Sequence, residues 1–189
     1  EKNPAAATDF SGVAILCSVP PSGIQPLVMR GLFTRSLRDN WKITAGMAMK
    51  QCTTNPSNAR ALFFGGDPIQ KEDGTTDDFG ISDDLLERYQ GNFQRDAVAV
   101  IDVVDLGRKL PSKCTDKDGV APFASDLPPV LVVGGKNDFI VDGKGNEETA
   151  KFFGVDEVTV IDSPHDVMLG KTWQNGADAI VSWLRQTVQ

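Results

Sequence analysis

Short unbroken apolar runs alternate along this chain with longer stretches whose apolar residues fall at helical spacing. Residues 12–17 (Gly-Val-Ala-Ile-Leu-Cys) are the first such run and predict a strand buried on both faces. The run stops at Val19-Pro20-Pro21-Ser22-Gly23, where two prolines remove ladder donors and turn the chain out of the sheet. Residues 26–50 then carry Leu27, Met29, Leu32, Phe33, Leu37, Trp41, Ile43 and Met47 at a spacing nearer to helix than to strand. Asn55-Pro56-Ser57 starts another helix, predicted to bury Ala59, Leu62 and Phe63 and to end at Gly65-Gly66. Residues 67–78 are acidic and turn-rich, which predicts an exposed loop, and Ser82-Asp83-Asp84 caps a helix over 85–93. In residues 96–106 the valines favour a strand, but the length and Asp96, Asp102 and Asp105 suit a buried helix better. Residues 107–126 read as a loop.

Residues 127–169 organise the rest. The run Val130-Leu131-Val132-Val133 ends in a tight exit at Gly134-Gly135 and turns polar at Lys136-Asn137-Asp138. An amphipathic piece over 147–153 is stopped by Gly154, and a second run, Val158-Thr159-Val160-Ile161, leads into a loop carrying His165. This is a strand–helix–strand unit with an acid after the first strand and the chain's one histidine after the second. Both would lie at the C-terminal edge of a parallel sheet, where open α/β sheets place their ligands. Residues 173–188 have Ala177, Ile180, Val181, Leu184 and Val188 at one-face spacing, which predicts an amphipathic C-terminal helix. Three parallel strands make a poor free-standing sheet, and the 13–17 strand would leave one edge open. The chain therefore reads as the second half of a larger α/β sheet.

Composition narrows the partners. The net charge of −7 argues against nucleic acid or an anionic membrane as the default partner. No apolar run reaches the roughly 18 residues of a membrane span. Cys17, Cys52 and Cys114 are widely spaced and contain no CxxC, which argues against zinc and against a disulfide framework. Reduced thiols point to an intracellular compartment, a plastid or other organelle included. Glu1-Lys2-Asn3-Pro4 resembles the end of a helix cut from something longer. The oxygen-rich stretches 116–119 and 142–147 lack the alternation of a calcium loop and read as turns.

Several pieces resemble the α/β-hydrolase fold proteins that carry a helical cap after the sixth strand. They are Gly12-Val13-Ala14-Ile15-Leu16 before Pro20-Pro21, Ala59-Arg60-Ala61-Leu62-Phe63-Phe64, the 129–138 segment, Ser163-Pro164-His165-Asp166-Val167-Met168-Leu169 and Trp183-Leu184. The resemblance implies a partial core over 1–23 and 123–189 and a cap over 24–122. It also implies that Asp138 is the acid and His165 the general base of a Ser–Asp–His triad acting on a small-molecule acyl substrate. The chain order, acid before histidine, agrees with that family. No metal or organic cofactor is implied. Asp142 stands as a reserve acid, Asp138 has a second role open to it as a strand-end cap, and Asp166 is expected to cap a turn. The aromatic and methionine residues Met29, Phe33, Trp41, Met47, Met49, Phe63 and Phe64 are expected mostly to pack, some of them facing substrate. No G-x-S-x-G occurs, and Ser18 and Ser22 sit beside prolines, so the nucleophile and oxyanion donors are expected from a preceding N-terminal half. The alternatives are a non-catalytic ligand-binding protein of the same fold or an inactive fragment.

Overall fold

A computed structural model describes residues 10–67, 69–77, 81–97 and 114–187 of the chain. Strand β1 (Val13–Leu16) is followed by helices α1 (Gln25–Thr34), α2 (Leu37–Ile43) and α3 (Pro56–Phe63). A small hairpin of β2 (Ile69–Gln70) and β3 (Thr76–Asp77) precedes α4 (Asp83–Asp96). The chain then alternates through β4 (Val130–Gly135), α5 (Gly143–Phe152), β5 (Thr159–Ile161) and α6 (Trp173–Thr187). It is a mixed α/β fold whose main sheet is parallel and ordered β1-β4-β5. Among the described residues no helix is long and apolar enough to cross a membrane.

The unbroken apolar run of β4 fits its place in the middle of the sheet. Leu131, Val132 and Val133 are all buried, with β1 on one side and β5 on the other. The expectation that β1 is also buried on both faces is corrected: Ala14 is exposed and Val13, Ile15 and Leu16 are half-buried. An apolar run states what a strand can bury, and here β1 is an edge strand with little laid over it. Edge strand β5 is similar, with Val160 64% exposed.

Gly134 and Gly135 are strand residues rather than a turn, and they serve close approach. A Cβ on Gly135 would stand 2.6 Å from the Ser163 carbonyl oxygen and 2.8 Å from that of Pro164. The backbone of the loop after β5 therefore lies directly on the end of β4. Pairing continues past the strands, with the Lys136 amide donating to Ile161 (2.8 Å) and the Asn137 amide to Ser163 (3.1 Å). Helix α5 begins earlier than its amphipathic spacing predicted. Asp142 caps it by accepting from the Gly145 amide at 2.7 Å, so 142–147 is a helix start and not a turn. Gly154, with φ +69°, ends it in the left-handed conformation that glycine tolerates.

The connecting segment has its own core of Ala59, Phe64, Ile81 and Leu86. Arg60 is buried in it, donating to the Ile81 carbonyl at 2.7 Å and pairing with Asp83, so α3 fixes the start of α4. The acidic stretch 67–78 holds the β2–β3 hairpin where a loop was predicted. Phe64, the C-cap residue of α3, is buried, whereas Phe63 is only half-buried. Met29, Phe33, Trp41, Met47 and Met49 are exposed, Phe33 to 82%, which corrects the expectation that they pack. Helix α6 meets β4 and β5, and the Trp183 ring lies where a Cβ on Gly12 would be. Val181 and Leu184 remain substantially exposed, so the buried stripe is narrower than its spacing predicted. The predicted helix over 96–106 falls outside the described residues after Ala97, as does Val188.

Gly135→Ala should destabilise the chain by about 1–3 kcal/mol, because rigid carbonyls oppose the added methyl. Gly91→Ala, in the middle of α4 with open space around it, should stabilise by about 0.5–1 kcal/mol. Equilibrium urea unfolding of the two variants checks both signs.

Candidate functional site

Register brings the acid and the histidine together. Asp138 lies just beyond β4 and His165 just beyond β5, and the continued pairing of their loops holds the two backbones side by side. Asn137 adds a side-chain bond, its amide donating to Asp162 at 2.9 Å. His165 Nδ1 then sits 3.0 Å from Asp138 Oδ1 and 2.9 Å from Oδ2. A carboxylate only accepts, so Nδ1 faces it as an N–H donor, and in the neutral tautomer this selects, the lone pair is on Nε2.

The Asp138 side chain is 0% exposed, against 22% for His165. A carboxylate that deep is costly unless donors surround it. They are present: the Ile140 and Val141 amides donate to Oδ1 at 2.8 and 2.9 Å. Asp138 is thus both a cap of its own loop and the partner of His165. The two roles reinforce each other, because the amides aim the carboxylate. Asp142, the reserve acid, is occupied elsewhere: it caps α5 and accepts twice from Arg30, at 3.0 Å each. The Arg30 hydrogen bond holds its carboxyl below the usual carboxylate range. Asp166 caps its turn as expected, accepting from the Met168 and Leu169 amides at 3.1 Å.

Helix α3 reaches the same place. The Asp166 amide donates to the Phe63 carbonyl at 2.9 Å, and the Phe63 ring lies 6.0 Å from the imidazole, tilted by 37°. A cavity of about 200 Å³ beside His165 is walled by Leu16, Cys17, Phe63, Phe93 and Met168. A larger open groove of about 990 Å³ runs between α5 and β5 and does not include His165. Ser18 is not in the cavity wall; its hydroxyl donates to the Val19 carbonyl at 3.2 Å.

Cys17 is the residue that sequence reasoning placed wrongly. The apolar run predicts it inside the strand, but β1 ends at Leu16 and Cys17 has φ +45°, a left-handed conformation uncommon for a residue with a Cβ. The bend turns a buried thiol toward the acid. Burial first, then the charge of Asp138, push that thiol up to about 12, a backbone hydrogen bond from Gly135 opposing them. It is a neutral thiol at ordinary pH and not a thiolate nucleophile. An apolar run offers no sign of where a strand ends, so only the two prolines hinted at the bend. Arg30 and Arg35, both near the acid loop, gave no signal in the sequence at all.

No family model matches the chain, and no curated protein or solved structure matches it either.

Cys17 should resist alkylation by iodoacetamide at pH 8 while exposed Cys114 reacts. The raised value means the folded chain keeps the proton that an unfolded chain releases from about pH 9 upward. Stability linked to this thiol is therefore complete below pH 9 and lost as pH climbs toward 12. Peptide mapping of the alkylated cysteines across that range checks the order of reaction.

Proposed function

We propose that this chain carries the acid and the general base of a serine hydrolase of the α/β-hydrolase fold. The observation that supports it is the Asp138–His165 pair: a buried, amide-held carboxylate fixing Nδ1–H of the histidine, at the C-terminal ends of adjacent parallel strands. In this reading His165 Nε2 takes the proton from a serine hydroxyl and later gives it to the leaving group. Asp138 holds the tautomer and stabilises the imidazolium. The serine and the oxyanion donors come from a polypeptide segment that pairs with the outer edge of β1, which no described strand occupies. Residues 24–122 act as a cap over a small ester, thioester, amide or lipid-like acyl substrate. Phe63 and the cavity beside His165 give that substrate an apolar wall. The chemistry needs no metal or organic cofactor.

Fluorophosphonate labelling of the 189-residue chain, beside a version extended upstream from its genomic sequence, tests this. The expected result is labelling of the extended form alone, abolished by His165→Ala and slowed about 10⁴-fold by Asp138→Asn. Labelling of the short form, or labelling that survives His165→Ala, would overturn the reading. Absence of labelling in both forms would put a ligand-binding protein with the same pair in its place.

A further inference from the structure

Helix α1 belongs to the segment between β1 and β4, yet its polar contacts run to the loop that holds the acid. The guanidinium of Arg30 makes a two-sided bridge. Nε and Nη2 donate to the two Asp142 oxygens at 3.0 Å, and Nη1 donates to Glu148 Oε1 at 2.6 Å. Nη2 reaches Glu148 Oε2 as well, at 3.3 Å. Arg35, at the C-terminal cap of α1, donates from Nη2 to the Ile140 carbonyl at 3.1 Å, and its guanidinium stands 5.8 Å from the centre of the Phe139 ring. Leu27 of the same helix is buried near Gly145 at the start of α5.

These anchors coincide with the groups that aim the acid. Ile140 and Val141 supply the amides on Asp138, and Asp142 ends that turn and caps α5. Ile140, Val141 and Asp142 are thus engaged with Asp138 or α5, and Phe139, Ile140 and Asp142 with the arginines of α1 and its C-terminal cap. The side chains of Arg30, Asp142 and Glu148 are 26%, 34% and 25% exposed, so their charges are partly shielded from water and salt. A planar fork that satisfies two carboxylates also fixes orientation in a way that a lysine cannot.

We infer that Arg30 and Arg35 are positioning residues for the Asp138–His165 pair: they hold the 139–142 turn, and a displacement of α1 loosens the hydrogen bond on His165 Nδ1. If the hydrolase reading holds, movement of the 24–122 segment that carries α1 and the alignment of the base are then one coupled event. The coupling itself does not depend on that reading. It is read in the resting protein.

The chain has one histidine, so its imidazole gives a single, unambiguous nuclear magnetic resonance signal. The experiment measures solvent exchange of the His165 Nδ1 proton, with hydrogen–deuterium exchange of the 138–146 amides, in Arg30→Ala, Arg30→Lys, Arg35→Ala and a control, Arg95→Ala. Both exchange rates should rise about tenfold in Arg30→Ala, the scale of losing hydrogen bonds to charged partners. Arg35→Ala should raise both in the same direction. Arg30→Lys should restore part of the protection, since it keeps the charge and loses the fork. Arg95, paired with Asp96 on the surface, should change neither. Faster amide exchange with an unchanged Nδ1 proton would overturn the inference, because the turn would be held without transmitting to the pair. So would no change in either. Should Arg30→Ala fail to fold, the Lys variant and Arg35→Ala carry the same comparison. A positive result in a chain that never labels with a serine probe would keep the coupling and sink only the hydrolase reading.

Discussion

A side chain at residue 135 would collide with two backbone carbonyls of the loop after β5, and the site depends on that contact staying bare. With glycine there, the histidine loop lies against the end of β4, and the Lys136 and Asn137 amides extend the ladder beyond the strands. The separation of Asp138 from His165 is then set by backbone pairing rather than by flexible side chains. Strand β4 supplies the rigidity, since among the described strands it is the one flanked on both sides, and Leu131 to Gly134 in it are buried.

Burial raises the stakes for the acid. Burying the Asp138 carboxyl away from water is costly without donors, and two amides and the imidazole supply them. That arrangement consumes the polar capacity of the 139–142 turn and makes its position critical. The arginines of α1 grip the other side of the turn, which ties a surface helix to a buried charge. The left-handed bend at Cys17 adds a neutral, buried thiol to the acid's surroundings without adding a competing charge.

The parts of this site that were legible in the sequence are those governed by local rules. Asp138 and His165 stand out because each follows an apolar run, and parallel strands joined by a helix put such residues at one edge. The helix starts at Asn55 and Ser82 were visible for the same kind of reason, although Ser82 makes no side-chain cap bond and Arg60 does the anchoring instead. What was not legible is long-range. Arg30 meets Asp142 and Glu148 across more than a hundred residues, and no spacing rule marks such a partner. Nor does hydrophobicity say what covers a surface: Ala14, Phe33 and Trp41 belong to apolar patterns and stand exposed. The predicted end of β1 failed because Cys17 is apolar enough to continue a strand, and only its backbone shows that it does not.

Asp138 faces Nδ1 of His165 and so selects the tautomer protonated there, with the lone pair on Nε2. Labelling histidine with nitrogen-15 and reading the shifts of its two ring nitrogens above the range where the imidazole protonates tests this most directly. The expected result is a proton resident on Nδ1, with Nε2 showing the shift of an unprotonated nitrogen, and a loss of that preference in Asp138→Ala. A proton resident on Nε2, or a tautomer mixture unaffected by Asp138→Ala, would contradict it.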